Sequence, residues 1–392
     1  MSSKSAARLS PWNDTLYVNM PTSRVINVAV IGAGEIAMCT HLPTLGFLSH
    51  MYEVTAIVDV SKQAVEHCAR KFNIPRTFTD VPEMLAACTD VDMVLICHSD
   101  EFHSVHAVQC LKAGKDLFVE KPMAQTLREA DDIEAARLAS GRLVFVGYMR
   151  RYATAFLRFK EAVGKLDPAQ INYVRFRNFT SRVKDGIISQ SGTYSQRFSD
   201  IPEEASAKRR QVATSQFEEY TGLDYKSPVA QYIRACKFHI SPHDLSLMRE
   251  LFGLPRHVIA AVPSARGNFL SIMLQYDGFV LAYESGEDAV LSVDATVEVL
   301  AQHQRLKLAF DSPYIKGLPI TMTTLSRQPN GDFSEETIRP TYEDYYTLMF
   351  KELHRCLSGN AEIKTTVLDS REEISMLSNI LKVLAEGFET SQ

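Results

Sequence analysis

A chain of 392 residues with 45% hydrophobic side chains can build more than one core, and its length favours two domains. A formal net charge of −5 argues against a broad basic field for nucleic acid, and 23% charged residues with few glycines and prolines argue against wholesale disorder. No uninterrupted apolar stretch approaches the ~20 residues of a membrane span.

Residues 1–24 include Pro11, Trp12, Asn13, Asp14 and Pro21 and lack the apolar core of a signal peptide, so they read as an exposed arm. From 25 to 148, short apolar runs alternate with helical segments. The runs are Val25–Ile31, Val54–Val58, Met93–Cys97, Leu117–Glu120 and Leu143–Gly147. Between them fall Ser61–Phe72 and Phe102–Ala113, the latter stopped by Gly114. This alternation predicts an α/β domain of the Rossmann type, a parallel sheet covered on both faces that binds ligands beyond the carboxyl ends of its strands.

From 149 to 392 the pattern predicts an α+β domain with a large, mainly antiparallel open sheet. Its strands are Ile171–Thr180, His257–Val262, Asn268–Tyr276, Phe279–Glu284, Thr296–Ala301, Arg305–Phe310 and Ile320–Leu325. The polar stretch Lys184–Tyr232 fits neither pattern and reads as a long insertion, either a surface excursion or a cover over a site. Two helices close the chain. Tyr342–Leu357 is broken by Gly359 and Asn360; Asp369–Phe388, capped by Asp369 or Ser370, returns toward the N-terminal domain.

Gly32-Ala33-Gly34-Glu35-Ile36-Ala37 follows the first run, and Asp59 closes the second, 22 positions beyond Ala37. Strand, glycine turn, helix, strand and acid form the arrangement that holds a dinucleotide. Gly32 permits the tight turn, and Gly34 lets backbone N–H groups approach a pyrophosphate at a helix start. Asp59 accepts from the ribose hydroxyls and repels the extra phosphate of NADP, so the expected cofactor is NAD. Cys97, His98, Ser99, Asp100 and His103 belong to the loop beneath the nicotinamide and its ribose.

Lysine is most often a solvated surface cation. Lys121, however, follows the apolar Leu117–Val119, sits at the ligand edge of the sheet and precedes Pro122, which restricts the backbone. That setting suits proton exchange at the reactive end of the dinucleotide. His106 reads as structural, and no third ligand near His103 and His106 suggests a metal. His239 and His243 stand four apart, with Pro242 and His243 opening a helix through Leu245, Leu247, Met248, Leu251 and Phe252 to Gly253. A histidine there either satisfies backbone groups or faces a cleft, where the helix dipole favours its neutral form. The cysteines at 39, 68, 88, 97, 110, 236 and 356 form no Cys-x-x-Cys pair and read as reduced thiols of a cytoplasmic protein.

Together these segments resemble the Gfo/Idh/MocA family, named for glucose-fructose oxidoreductase, inositol dehydrogenase and a rhizopine-catabolism protein. Gly32–Ala37 with Asp59 matches its glycine fingerprint. Cys97–His103 lies at its C-x-P-N-x-x-H segment, Glu120-Lys121-Pro122 at its EKP, and Gly147–Tyr152 at its G-F/Y-x-x-R-F/Y stretch. His243–Arg249 is similar to its H-D-x-D-x-x-R helix, and the resemblance spans about residues 24–388.

The resemblance implies an NAD-dependent oxidoreductase acting on a small molecule, a secondary alcohol or ketone of a sugar, cyclitol or related ring. Lys121 would bind the substrate hydroxyl and exchange its proton, His243 would orient or relay that proton, and Met149 and Arg150 would line the substrate side. Gly32, Gly34, Glu35, Ile36, Asp59, the 97–100 loop, His103, Glu120 and Lys121 would hold the cofactor. A cis Lys121–Pro122 peptide is implied, as is a homodimer or homotetramer built on the open sheet. Two departures stand out. His98, Ser99 and Asp100 replace the usual T-P-N, and His239 stands where many sugar and inositol dehydrogenases carry an aspartate, so His239 becomes the candidate substitute in the catalytic set and at the substrate. The family also holds redox-neutral NAD-dependent enzymes and a non-catalytic sensor of the galactose-repressor type; Lys121 and His243 favour an enzyme.

Overall fold

The computed structural model describes residues 24–181, 184–193 and 195–390, so the N-terminal arm lies outside the described residues except for Arg24. Six parallel strands make the first sheet: β1 (Ile26–Ile31), β2 (Tyr52–Val58), β3 (Arg76–Phe78), β4 (Met93–Ile96), β5 (Asp116–Val119) and β6 (Val144–Val146). Their order is β3-β2-β1-β4-β5-β6, the doubly wound arrangement in which the chain reverses direction beside β1. β4 and β6 are buried at every position, which explains their unbroken apolar sequence. β3 was not visible in the sequence, because Arg76-Thr77-Phe78 is only half-buried and too short to show a period.

Helices cover this sheet. A π-helical turn (Ala37–His41) runs into α1 (Leu42–Phe47), followed by α2 (Lys62–Phe72), α3 (Val81–Ala87), α4 (His103–Lys112) and α5 (Leu127–Ser140). α2 starts at Ser61, whose hydroxyl accepts from Ala64 N–H, and stops at Asn73 in the left-handed region. α6 (Thr154–Gly164) then leads into the second sheet.

That sheet has eight strands: β7 (Ile171–Ser181), β8 (His257–Pro263), β9 (Phe269–Gln275), β10 (Val280–Asp288), β11 (Asp294–Ala301), β12 (Gln304–Phe310), β13 (Thr321–Arg327) and β14 (Phe333–Ile338). Their order is β14-β13-β12-β11-β7-β10-β9-β8, antiparallel except for the β7–β10 pair. Along β7, Val174, Phe176 and Asn178 face the core, while Arg175 and Arg177 lie on the other face and pair with Glu284 and Asp294. On β8 and β9 the outward Ile259, Val262 and Met273 are exposed.

The insertion at 184–232 is largely helical: α7 (Lys184–Ile188), α8 (Glu203–Thr221) and the start of α9 (Pro228–Lys237). α8 buries only Gln216 and Phe217, so no apolar stripe announced it. α10 (Pro242–Phe252), α11 (Tyr345–Leu357) and α12 (Val367–Thr390) complete the fold. The cap expected at Asp369 or Ser370 is a turn earlier: the Thr366 hydroxyl accepts from Asp369 N–H. α12 packs against α5, with Arg371 on Asp131.

A buried charge network locks the 149–152 turn, α10 and α12 together. Arg151 pairs with Glu250 and Asp369, and Arg249 lies 3.2 Å from Glu373 and 3.3 Å from Asp369. Removing one partner leaves a buried charge without compensation, so Arg249→Met should cost about 3–5 kcal/mol. Urea unfolding would register this as a lower midpoint, partly restored by adding Glu373→Gln. An unchanged midpoint would show that the network carries no weight.

Candidate active site

A cleft of about 350 Å³ opens where the carboxyl ends of the first sheet face the inner side of the second. Ile36, Cys97, His98, Asp100, Glu120 and Lys121 line it from the first domain. Met149, Arg150, Asn178, Ser241 and His243 line it from the second, joined by Tyr314 and Tyr346.

Gly32 has a φ of +114°, and a Cβ there would stand 2.7 Å from the backbone nitrogen of His98. Only glycine lets the first turn pass this close to the 97–100 loop. Gly34 has no heavy atom within 4 Å of a Cβ position, so that face of the turn is open. Glu35 and Ile36 form the first helical residues beyond it. Asp59 Oδ2 accepts from Ala33 N–H at 2.8 Å and Oδ1 from Ser61 N–H at 2.9 Å, which fixes the carboxylate beside the turn with lone pairs remaining. An open N–H turn, a helix start and a fixed acid fit a dinucleotide.

Glu120 points its carboxylate inward. Oε1 lies 2.9 Å from Nε2 of the buried His41, and Oε2 accepts from Lys121 N–H at 3.0 Å. Burial alone would raise its pKa, but the His41 contact, the charges of His41 and Lys121 and the Lys121 N–H outweigh it, and the net shift is downward. Glu120 thereby sets the backbone from which Lys121 projects. The Lys121–Pro122 peptide is cis, as the resemblance implied.

His103 is fully buried, with Nδ1 2.8 Å from the Pro122 carbonyl and Nε2 3.2 Å from the His98 carbonyl. Its position is that of a strut between the two loops under the cleft. The His98 ring faces the cleft and is held by Ser99, whose carbonyl accepts from Nδ1 at 2.9 Å. The other nitrogen, Nε2, then accepts from His106 Nδ1 at 2.6 Å. Ser99 contributes its backbone to this loop, and its side chain is not part of the cleft wall.

His243 lies in the first turn of α10 and faces the cleft. Nδ1 is buried without a hydrogen-bond partner, as are Asn178 Oδ1 and Arg150 Nε. Burial, then the charges of Lys121 and Arg150, hold the His243 pKa well below its usual value, so the ring is neutral near pH 7. Beneath it the buried Asp244 carboxylate accepts from Arg150 Nη1 at 2.6 Å, Asn178 Nδ2 at 2.5 Å and the Tyr283 hydroxyl at 3.0 Å.

His239 is not brought into the cleft. Its Nε2 faces the Gly267 carbonyl at 2.8 Å, because α9 ends at Lys237 and the following turn directs the ring toward the β8–β9 connection. The expected substitute for the missing aspartate therefore does not stand beside Lys121. Sequence reading also passed over Asn178, Asp244, Tyr283, His41 and Tyr314. Asn178 left a signal, a polar residue on the inward face of an otherwise apolar strand. Asp244 left another, its place directly after His243.

A second hollow, about 550 Å³, lies on the outer face of the large sheet among Glu298, Arg305, Lys307 and Glu335, away from these groups. Among the described residues no cluster of metal-binding side chains occurs, and no helix is long and apolar enough to cross a membrane. All seven cysteines are buried and free.

The Gfo/Idh/MocA family model, an oxidoreductase family with an NAD-binding Rossmann fold, matches residues 26–148. An inositol 2-dehydrogenase of Paracoccus denitrificans is 33% identical over 147 residues, 37% of this chain and 44% of that relative. The match thus spans less than half the length of that relative. Among solved structures, a myo-inositol 2-dehydrogenase from Lactobacillus plantarum superimposes with a TM-score of 0.64 at 17% identity, covering 93% of this chain and 98% of that one. The WlbA dehydrogenase from Bordetella pertussis, in complex with NADH and UDP-GlcNAcA, gives 0.64 at 16% identity with the same coverage. At these identities the structures establish the shared fold.

The histidine pair generates a pH prediction. Burial, then the charges of His103 and His106, push the His98 pKa down to about 3; burial, then His103 and Lys208, push His106 down to about 4. Free imidazole titrates near ~6.5, so between these values the unfolded chain binds more protons than the folded one. Stability from this pair is therefore full above about pH 6.5 and is lost as pH falls toward 4 and 3. Histidine NMR titration should show both rings still neutral at about pH 5. Either ring titrating near pH 6.5 would refute the pairing.

Proposed function

We propose, from the match of residues 26–148 to the Gfo/Idh/MocA oxidoreductase family model, that the chain belongs to that family and is an NAD-dependent dehydrogenase or reductase acting on a sugar, cyclitol or related ring. The transfer joins a secondary alcohol or ketone to nicotinamide. One observation carries the reading: Lys121 shares a cleft with His243, Asn178 and Arg150, each of which has a buried polar atom without a protein partner (Nδ1, Oδ1 and Nε). Burying such atoms unpaired is costly, and a ring with several hydroxyls offers both donors and acceptors to them.

Gly32 and Gly34–Ile36 would receive the pyrophosphate, and Asp59 the adenosine ribose. Cys97, His98, Asp100, His103 and Glu120 would border the nicotinamide half, with the Ser99 backbone supporting that wall. Bound nicotinamide supplies a hydride acceptor or donor at its C4. Lys121 binds the substrate oxygen and exchanges its proton. Neutral His243 orients that hydroxyl and relays the proton, while Met149 and Arg150 set the ring's position. Asp244 acts through others, fixing Arg150 and Asn178. The buried free thiols suit a reducing, cytoplasmic setting.

Lys121→Met should keep NADH affinity, measured by fluorescence titration, and lose about 10²–10⁴-fold in turnover. His243→Ala should also lose turnover, and His239→Ala, whose ring lies outside the cleft, should lose little. Normal turnover in Lys121→Met would overturn this mechanism.

Assembly follows from the outer face of the large sheet. Its exposed Ile259, Val262 and Met273 and its long edge would be protected by a second copy, giving a homodimer or homotetramer. Light scattering at micromolar concentration should show one of these, and a soluble strict monomer would rule out this use of the sheet.

A further inference from the structure

The end of β2 presents two groups to an adenosine ribose: Asp59, and the α2 start at Ser61 and Lys62. Judged locally, they pull in opposite directions. Asp59 repels a 2′-phosphate, whereas a helix start carrying a serine cap and a lysine is a ready anion site. The insertion supplies the deciding group. Asp200, 139 positions from Ser61 in sequence, accepts from the Ser61 hydroxyl at 2.5 Å through Oδ1 and from Gln63 N–H at 3.0 Å through Oδ2. The first turn of α2 thus already holds a carboxylate. The Gln63 N–H and then the Ser61 hydroxyl keep Asp200 below the usual carboxylate range, so it is charged at neutral pH.

This placement is anchored on both sides. Just before Asp200, Phe198 packs against the His67 ring of α2 with centroids 5.6 Å apart. Just after it, α8 runs from the end of β2 to the start of α5. Arg209 meets Glu101 at 3.1 Å, Gln216 donates to the Glu101 carbonyl at 2.9 Å and to Glu129 at 2.7 Å, and Arg128 meets Glu219 at 2.8 Å. Nineteen helical residues span roughly 28 Å, enough to cross the edges of β2, β1, β4 and β5.

We propose that Asp200 is a second specificity-determining carboxylate, acting with Asp59 to reject the 2′-phosphate of NADP by occupying the α2 start that would otherwise bind it. The proposal rests on the assignment of the adenosine ribose to Asp59. Two carboxylates flank Ser61, so a phosphate would displace one set of bonds and face both charges. Neutralising Asp59 alone leaves the anion site filled.

The test titrates purified full-length protein with NADH and with NADPH, following nicotinamide fluorescence, and competes each with ADP and 2′,5′-ADP. Wild type should prefer NADH. Asp200→Asn and Asp200→Ser should tighten NADPH relative to NADH by at least about tenfold at low salt, with the gain shrinking as ionic strength rises. Asp59→Ser alone should leave NADPH weak, and Asp59→Ser with Asp200→Ser should bind it well. Thermal midpoints and circular dichroism check that each variant is folded.

Wild type binding NADPH as tightly as NADH would sink both this proposal and the Asp59 assignment. Wild type preferring NADH, with both Asp200 variants folded and the ratio unchanged, would sink the role of Asp200 alone. Equal weakening of both cofactors would do the same, by showing that Asp200 only holds the insertion in place. NADPH rising to the level of NADH in Asp59→Ser would show that Asp59 suffices.

Discussion

Burying the Asp244 carboxylate obliges the chain to bring donors to it, and the donors it finds assemble the cleft. An isolated carboxylate cannot stay ionised in an apolar interior without compensation of several kcal/mol. Here the compensation comes from Arg150 after β6, Asn178 on β7 and Tyr283 on β10, three elements from distant parts of the sequence. Each charge-assisted bond contributes roughly 1.5–3 kcal/mol, and together they tie α10 and the turn after β6 to the neighbouring strands β7 and β10. His243, the residue before Asp244, is carried into place by the same requirement. Its Nδ1 is buried without a protein partner.

The nucleotide-binding half was legible because each of its signals is local. Gly32, Gly34 and Asp59 act through the strand and turn they belong to, and Lys121 is placed by the residues on either side. The second sheet was legible as strands because its runs are set off by short polar turns, a signal contained in a short window. What was not legible depends on contacts far apart in sequence. Glu120 needs His41, 79 positions away, and nothing around His41 in a helical stretch announces that it faces a carboxylate. His239 shows the converse failure. The resemblance placed it beside His243, but His239 lies in the turn between α9, which ends at Lys237, and α10, and that turn aims its ring at the Gly267 carbonyl instead of the cleft.

Two arginines in the family-like segments also change meaning in three dimensions. Arg151 and Arg249 belong to stretches that read as site motifs, yet both are buried among Glu250, Asp369 and Glu373 and hold α10 and α12 against the turn after β6. Arg150 beside them lines the cleft, with one guanidinium nitrogen on Asp244 and another buried without a partner. Adjacent arginines of identical chemistry thus divide into a structural tie and a cleft-lining residue. The division is set by which face of a single short 3₁₀ turn each occupies.

The insertion follows a different physical logic from the rest of the chain. Its ion pairs, Arg209–Glu101 and Arg128–Glu219, are substantially exposed on the arginine side, and such pairs contribute about 0–1 kcal/mol each. They orient α8 more than they hold it. Its hold comes from Phe217, buried between Tyr220 and Tyr225 with Arg234 over the ring, and from Gln216, buried with both of its donor hydrogens committed. These few anchors sit at the far end of α8 from Asp200. The near end is fixed by the bonds of Asp200 to the α2 start and by Phe198 against His67. A helix polar on nearly every face is therefore kept across the sheet edge by contacts at its two ends, and its middle adds little burial of its own.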